Sequence, residues 1–244
     1  MYSPSAARSS ESQMNSIHPS AQIVGDVQLG GRNTIGALVV IIGPVIIGDD
    51  NWIGTGAVIG APPEVREWKH PSDALRPSSG GGIIIGSRNR LREAVQVHQG
   101  WQAITRIEDD VFVMNQSYVA HDCVLEKQST LASSVLLAGH VRIGVGANLG
   151  MGTIVHQRRY IGNGAMVGMG SVVTRDLLPF SVSYGSPARV HGVNAVGMGR
   201  AGLAASTIET LAEAYKGPGA DLTLVEGIDE LTDALVACRR NATE

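Results

Sequence analysis

An aliphatic residue recurs at every sixth position along most of this chain. Isoleucine, leucine or valine occupies every sixth position from residue 17 to residue 59 and again from residue 107 to residue 173, and positions 85, 91 and 97 keep the same spacing. An α-helix cannot hold one face at this period, because its own repeat is 3.6 residues. A short strand followed by a tight turn can repeat every six residues and keep the same face inward. The pattern therefore predicts a repeat of strands and corners.

Three such units make a triangular coil of about 18 residues, and successive coils stack at the strand spacing of about 4.8 Å. Glycine supplies 31 of the 244 residues, and we expect it at corners, where the backbone adopts positive φ. Aromatic residues are only 4% of the chain, which excludes a core built from large rings. The predicted fold is mainly β: a parallel β-helix.

Breaks in the period mark the predicted domain organisation. Residues 1–16 precede the repeat and predict a flexible N-terminal extension, and residues 17–190 form the β-helix. Loops at 61–84 and 99–106 interrupt the β-helix where proline, glycine and serine replace the repeat. Residues 191–244 predict a small C-terminal helical domain. There Ser206 and Glu209 have the spacing of a capping box for one helix, and a second helical pattern runs from 222 to 239.

Charge and cysteine content exclude several classes of protein. The 19 basic and 22 acidic residues give a net charge of −3, which argues against a protein that wraps nucleic acid. The longest apolar stretch, 35–48, is shorter than the roughly 18 residues that a membrane span needs. Two cysteines cannot form a disulfide framework, so we expect reduced thiols and a cytoplasmic location.

One histidine stands out in the coil register. His121 precedes Gly139 by 18 residues, so the Gly139 backbone should stack one coil from the imidazole, with His140 beside it. An imidazole can accept a proton near neutral pH. A neighbouring backbone N–H can stabilise an oxyanion. Together they suit acyl transfer to a hydroxyl.

The repeat resembles that of the hexapeptide-repeat acyltransferases, which fold as left-handed parallel β-helices and form trimers. Further motifs are similar to those of the UDP-N-acetylglucosamine O-acyltransferase family of lipid A synthesis. They are IHPSA at 17–21, IGSRNRLRE at 85–93, VHQG at 97–100, YVAHDCVL at 118–125, LAGHV at 137–141, VHQ at 155–157 and GVN at 192–194. The resemblance implies transfer of a 3-hydroxyacyl group from acyl carrier protein to the 3-hydroxyl of UDP-N-acetylglucosamine or a related UDP-sugar.

The same resemblance implies a role for individual residues. His121 would be the general base, supported by Asp122, with Gly139 as the oxyanion donor. Substrate-binding positions would be His98, His140, His156, Gln157, Asn194 and Arg200, and Met169 falls at the family's acyl-chain ruler, where a bulky side chain implies a shorter chain than glycine does. Candidate docking charges for the acidic carrier protein are Arg88, Arg90, Arg92 and Arg158. The implied assembly is a homotrimer that needs no cofactor and no metal.

Departures from the family pattern leave alternatives open. The family's Asp-Leu-Lys-Tyr element is absent from the lengthened APPEVREWKH segment, Tyr118 replaces a histidine, and Val196 replaces an acidic residue. Acyl-CoA as donor, a UDP-amino sugar as acceptor, or a non-catalytic protein that binds a sugar nucleotide are therefore alternatives. A metal site built from His98, His121 and His140 is the least favoured of them.

Overall fold

The computed structural model describes residues 14–70, 72–73, 80–216, 222–225, 228–229, 231–232 and 234–236. Residues 1–13, most of the expected N-terminal extension, lie outside this part of the chain. None of the helices within it has the length and apolar content of a membrane-crossing segment.

Short strands dominate the chain. Before the first loop they are β1 (Ser16–Ile17), β2 (Gln22–Val24), β3 (Val27–Leu29), β4 (Thr34–Ile35), β5 (Val40–Ile42), β6 (Val45–Ile47), β7 (Trp52–Ile53) and β8 (Val58–Ala61). The strands β9 (Ile83–Ile85), β10 (Arg90–Leu91) and β11 (Gln96–His98) lie between the two loops. After the second loop come β12 (Thr105–Ile107), β13 (Phe112–Val113), β14 (Tyr118–Val119), β15 (Val124–Leu125), β16 (Thr130–Leu131), β17 (Leu136–Leu137), β18 (Arg142–Ile143), β19 (Asn148–Leu149), β20 (Ile154–Val155), β21 (Tyr160–Ile161), β22 (Met166–Val167), β23 (Val172–Val173), β24 (Ser181–Gly185) and β25 (Ala188–Val193).

Every third strand stacks on the one before it, so the chain winds into three sheets. The first sheet runs from β1 through β4 and β7 to β22, β24 and β25, the second from β2 to β23, and the third from β3 to β21. Pairing between successive coils is parallel and, away from the loops, joins residues 18 apart, such as Val119 and Leu137. The fold is therefore a left-handed parallel β-helix, as the repeat and the family resemblance predict.

The six-residue ladder fills the interior of the coils. From Ile35 onward its members are almost fully buried, while the residue before each of them, except the buried Tyr160, is partly or fully exposed. Ile17 and Ile23 are exceptions, with 43% and 37% of their surfaces exposed. They belong to the first coil, and no described coil covers them from below, so periodicity alone overestimates burial at this end.

The expectation of glycine at positive φ is met only in part, because among the described residues 11 glycines and 13 residues of other types have positive φ. Arg32, Asp50, Arg88 and Asp110 all have φ near +60°. Ion pairs join them across coils, from Arg32 to Asp50 at 2.6 Å and from Arg88 to Asp110 at 2.8 Å. Charged side chains that pair along a corner can thus offset the cost of a left-handed backbone.

The second loop is fastened at its start by Gln99. This fully buried side chain donates from Nε2 to the carbonyl oxygens of Ile42, Gly43 and Gly60, at 3.1, 3.1 and 3.0 Å. The loop leaves the β-helix after β11 and rejoins it at β12. One buried amide therefore ties the loop to two coils below it.

The C-terminal part adds short helices to the last coil. Helix α1 (Ala195–Arg200) is capped by the Asn194 side chain, and α2 (Ala205–Ala214) follows, with Ala204 rather than a polar residue at its N-cap. The capping-box interpretation of Ser206 is therefore wrong, although the helix exists. Strand β25 continues past the expected boundary at residue 191 to Val193.

The segment expected to form a second helix is only partly described. It contains a 3₁₀ turn (Leu222–Val225) and helical residues at 229, 231–232 and 234–236. A separate apolar cluster joins these helical segments to the end of the β-helix; its buried members are Met198, Leu211, Ala214, Tyr215, Leu231 and Leu235.

Candidate active site

Three stacked turns carry most of the predicted site. Residues 120–122, 138–140 and 156–158 connect the second sheet to the third in successive coils, and we call them the histidine corner. Pairing of Val119 with Leu137, and of Leu137 with Val155, sets the turns in register. The corner therefore brings together His121, Asp122, Gly139, His140, His156, Gln157 and Arg158.

His121 and Asp122 form a hydrogen-bonded pair. Nδ1 of His121 lies 2.8 Å from Oδ2 of Asp122, whose side chain is fully buried. Because a carboxylate can only accept, Nδ1 carries a proton, and in the neutral imidazole the lone pair is then on Nε2. Nε2 has no hydrogen-bond partner among the described residues. The imidazole is thus oriented with a free basic nitrogen, as a general base requires.

Asp122 is held by the second loop as well as by His121. Its carboxylate accepts backbone N–H bonds from Trp101 at 2.8 Å, Gln102 at 3.0 Å and Ala103 at 2.7 Å. Burial would raise the pKa of this carboxyl, but the hydrogen bonds from His121, Ala103 and Trp101 outweigh burial and lower the pKa. Asp122 therefore stays charged next to the base.

Gly139 approaches the His121 ring so closely that no side chain fits between them. A Cβ atom at this position would lie 2.5 Å from Cε1 and 2.6 Å from Nε2 of the imidazole. Within the part of the chain that the structure describes, no acceptor pairs with the Gly139 N–H. A backbone donor beside a free basic nitrogen is the arrangement that stabilises an oxyanion next to a general base.

His140 shares the carboxylate with His121. Its Nε2 lies 3.4 Å from Oδ2 of Asp122, and the two imidazoles meet edge to face at 5.2 Å between centroids. Burial lowers the pKa of His140, more than the charge of Asp122 raises it. His121, Asp122 and His140 offer ligand atoms within 4.8 Å of one another, a spacing that could hold a metal ion. The hydrogen bonds to Asp122 already use its oxygens, which favours a proton-transfer site.

His98 lies on the second sheet next to the corner. Nδ1 contacts the Pro62 carbonyl oxygen at 2.8 Å and must carry the proton, since a carbonyl accepts. The buried Nε2 atom has no partner in the described structure. The ring packs 4.9 Å from Tyr118, whose hydroxyl donates to Glu64 at 2.5 Å. Burial, followed by this hydrogen bond, raises the pKa of Tyr118.

His156, Gln157 and Arg158 occupy the last turn of the corner and are all exposed. Nδ1 of His156 contacts the Gln157 carbonyl at 3.2 Å, and the Arg158 N–H donates to the Gly139 carbonyl at 3.0 Å. These side chains form an open polar rim one coil away from Gly139.

Three expected site residues lie elsewhere in the chain. The Asn194 side chain accepts from the Gly197 N–H at 3.0 Å and donates to the Gly164 carbonyl at 2.9 Å, and Arg200 is at the exposed end of α1. Met169, 70% exposed, is on the corner between the first and second sheets. A single chain therefore does not bring them to His121.

The three arginines of the IGSRNRLRE motif also lie away from the histidine corner. Arg88 is bound to Asp109 and Asp110, and Arg92 pairs with Glu93 at 3.1 Å. The exposed Arg90 donates to two backbone carbonyls, each at 3.3 Å, and pairs with no acid in the described part of the chain. With Trp52, Glu93 and Phe112, Arg90 and Arg92 line a groove of about 430 Å³ on the first sheet.

Sequence reasoning missed the contribution of the second loop. The Trp101, Gln102 and Ala103 amides hold Asp122, and the Trp101 ring meets His121 edge to face at 5.9 Å between centroids. The 18-residue period of the coils could have predicted that this loop lies near the base. Arg106 pairs with Val124, so the residues just before Arg106 must lie beside His121.

Comparisons with known proteins agree on one family. The family model described as domain 2 of UDP-N-acetylglucosamine O-acyltransferase matches residues 176–240. The chain is similar to LpxA from Acinetobacter baumannii, with a TM-score of 0.72 and 29% identity over 91% of this chain and 92% of the other. It is also similar to the UDP-N-acetylglucosamine O-acyltransferase from Moraxella catarrhalis, with a TM-score of 0.65 and 31% identity over 91% of this chain and 90% of the other.

A curated relative from Synechocystis, an acyl-[acyl-carrier-protein]–UDP-N-acetylglucosamine O-acyltransferase, is 37% identical over 163 residues. That match covers 66% of this chain but only 56% of the relative's own length. Since the Moraxella protein is matched over 90% of its length at 31% identity, the chain belongs to the UDP-N-acetylglucosamine O-acyltransferase family.

Proposed function

We propose that this protein transfers an acyl group from acyl carrier protein to the 3-hydroxyl of UDP-N-acetylglucosamine or a closely related UDP-sugar. The observation that carries the proposal is the His121–Asp122 pair, with its free Nε2 directly against Gly139. Family membership supports the choice of donor and acceptor, because the Synechocystis relative is described as acting with these two substrates. The proposed reaction needs no cofactor.

In the proposed reaction His121 Nε2 takes the proton from the sugar hydroxyl as its oxygen attacks the thioester carbonyl carbon of the donor. The Gly139 N–H donates to the oxyanion that forms. The intermediate then collapses, the carbon–sulfur bond breaks, and the leaving thiolate takes the proton back from His121. Asp122 keeps the imidazole in one tautomer and stabilises its positive charge between the two steps.

The remaining side chains of the corner would bind the acceptor. His140 is kept neutral by the burial that lowers its pKa, which leaves it able to hydrogen-bond an uncharged sugar. Nε2 of His98 offers a buried acceptor without a partner in the described structure. The exposed His156 and Gln157 would reach the diphosphate side of the same ligand.

A homotrimer would complete the site. Asn194, Arg200 and Met169 lie away from His121 in one chain, so a second copy would have to supply the nucleotide contacts and the acyl-chain ruler. The outward face of the second sheet supports such packing, because Leu136 and Ile154 are 41% and 45% exposed there, one above the other. Apolar surface of this kind is typical of subunit interfaces.

Docking of the acidic carrier protein would use positive charge on the histidine corner and on the first sheet, which a neighbouring copy in a trimer would bring to the site. Arg158 is exposed on the histidine corner itself, and Arg90 and Arg92 line the groove on the first sheet. Arg88 would contribute less charge, because Asp109 and Asp110 already bind it. With a carrier protein and a sugar nucleotide as its substrates, this reaction would take place in the cytoplasm.

The test is product analysis by mass spectrometry, with a panel of acyl-carrier proteins and acyl-CoA as donors and a panel of UDP-sugars as acceptors. We expect O-acylated UDP-N-acetylglucosamine from the wild type. His121→Ala should lower the rate by about 10³-fold or more, with little change in melting temperature. Equal turnover by wild type and variant would refute His121 as the base, and binding without turnover would indicate a non-catalytic protein.

A second candidate is acylation of a UDP-amino sugar. The observation that favours it is Tyr118, which stands where the family pattern has a histidine, packs against His98 and donates its hydroxyl to Glu64. The same panel separates the candidates. An N-acylated product that is lost in Tyr118→Phe, but kept in Glu67→Gln on the loop that carries Glu64, would support the amino sugar.

A further inference from the structure

The second loop holds an aromatic side chain beside the proposed base for which no role has been assigned. Trp101 meets the His121 ring edge to face, with centroids 5.9 Å apart. Its side chain is nevertheless 37% exposed, so it is not a core residue. Large aromatic rings that stay exposed next to reactive groups are frequent at binding sites.

The backbone on both sides of Trp101 is firmly fixed. On one side Gln99 is fully buried and bonded to three carbonyl oxygens, and Gly100 packs so tightly on the Ala103 carbonyl that it has no room for a Cβ. On the other side the amides of Trp101, Gln102 and Ala103 all donate to Asp122. The loop is therefore pre-organised, and the carboxylate that orients His121 also orients Trp101.

Because Asp122 binds both His121 and the Trp101 amide, it places the base and the indole side by side. A sugar substrate would contact both. A sugar whose hydroxyl reaches Nε2 of His121 extends beyond the imidazole, and its apolar C–H surface needs a wall. Rigid aromatic rings provide contact area with little loss of conformational entropy. An indole beside the base meets this need, and the backbone that carries it is held in place before substrate arrives.

We infer that Trp101 contacts the sugar ring of the acceptor and forms one wall of the acceptor site. The inference rests on the proposed function and deepens it. It concerns the acceptor rather than the donor, since Trp101 is fixed by the same carboxylate as the base that must reach the sugar hydroxyl. Trp101 is a binding residue in this scheme and takes no part in proton transfer.

The test compares three variants. Trp101→Ala should raise both KM and the calorimetric Kd for UDP-N-acetylglucosamine by about tenfold, whereas Trp101→Phe keeps a ring and should recover most of the affinity. Ile104→Ala is the matched control, because Ile104 is an apolar residue on the same loop and is 40% exposed. It should bind like the wild type.

A second measurement separates contact with the sugar from support of the loop. Addition of UDP-N-acetylglucosamine should change the tryptophan fluorescence of the wild type, and the change should be absent from Trp101→Phe. Unaltered Kd and KM in Trp101→Ala, together with wild-type turnover, would overturn this inference alone. Failure of the wild type to bind or acylate any UDP-sugar would overturn it together with the proposed function. Loss of the oligomer in Trp101→Ala would also overturn it, because the side chain would then be an interface residue.

Discussion

Gly139→Ala is the sharpest perturbation of the proposed chemistry, because one methyl group acts directly on the base. Gly139 does not have the positive φ that favours glycine, so the backbone accepts alanine there. The new Cβ would lie 2.5 Å from Cε1 of His121, whereas ordinary contact begins at 3.4 Å. The imidazole must therefore move by about 0.9 Å, or the turn must open.

A displacement of this size should change the catalytic rate strongly and the free energy of unfolding only slightly. It lengthens the 2.8 Å bond from His121 to Asp122 and shifts Nε2 from its place beside the Gly139 amide. Misplacement of a reacting group by about 1 Å can cost on the order of 10²-fold in rate. Replacing glycine by alanine at a compatible φ adds about 0.4 to 1 kcal/mol of stability through the unfolded state, which offsets part of the strain.

The assay is kcat with acyl-carrier protein and UDP-N-acetylglucosamine, measured alongside the melting temperature. We expect kcat to fall by about 10²-fold while the melting temperature changes by only a few degrees. Gly199→Ala is the control, since a Cβ at Gly199 meets nothing within 4 Å. If Gly139→Ala keeps kcat within about threefold of wild type, either the ring is not the base or the close approach does not matter, and the reasoning fails.

Three further predictions concern the surroundings of this pair. The pKa of Asp122 is lowered in the folded protein, so its contribution to stability is present at pH values above the ordinary pKa of 3.8 and is lost as the pH falls through the lower folded pKa. Asp122→Asn should therefore lower the free energy of unfolding by about 2 kcal/mol at neutral pH. The variant should also show a flatter decline of the urea midpoint at acid pH. Gln99→Ala leaves three carbonyl oxygens without their donor and should lower the free energy of unfolding by about 3 kcal/mol in urea. Met169→Gly should shift the acyl-carrier preference, read by mass spectrometry, toward longer chains.

Each of the three has its own control and contrary result. Gln102→Ala removes an exposed side chain from the same loop and should stay within about 0.5 kcal/mol of wild type, so an equal loss in both variants would contradict the role of Gln99. An acid limb of Asp122→Asn that parallels the wild type would mean that other carboxylates carry the pH dependence. An unchanged chain-length profile in Met169→Gly would remove Met169 from the acyl site.

The periodic part of the molecule could be predicted from the sequence because it repeats. A fixed step of six sets the coil, and the coil sets His121 against Gly139 without any knowledge of side-chain conformation. The residue types at the corners could not be predicted equally well, since glycine is only one way to hold a positive φ. Arg32 and Arg88 also have positive φ, and each forms an ion pair with the neighbouring coil. Such ion pairs can be predicted only after the register between coils is known.

The aperiodic parts escaped prediction for a related reason. The contact of Glu64 with Tyr118 and the amides that hold Asp122 join segments whose approach depends on loop conformation. Helix α1 has two internal glycines and little propensity of its own; it forms because Asn194 caps it and Met198 is buried. Local sequence carries little information on these contacts, and the coil period places only the end of the second loop beside His121.

The strict register of the coils also decides which insertions and deletions this protein could survive. Val119 pairs with Leu137, so His121 and Gly139 face each other only while the number of residues between them is conserved. Loss of one residue between 122 and 138 would turn the remaining ladder out of the core and part the base from its amide. Residues can be added between β8 and β9 at far lower cost, because that segment leaves the coil and returns to it. Length variation in this lineage should therefore concentrate in the loops or occur in whole coils.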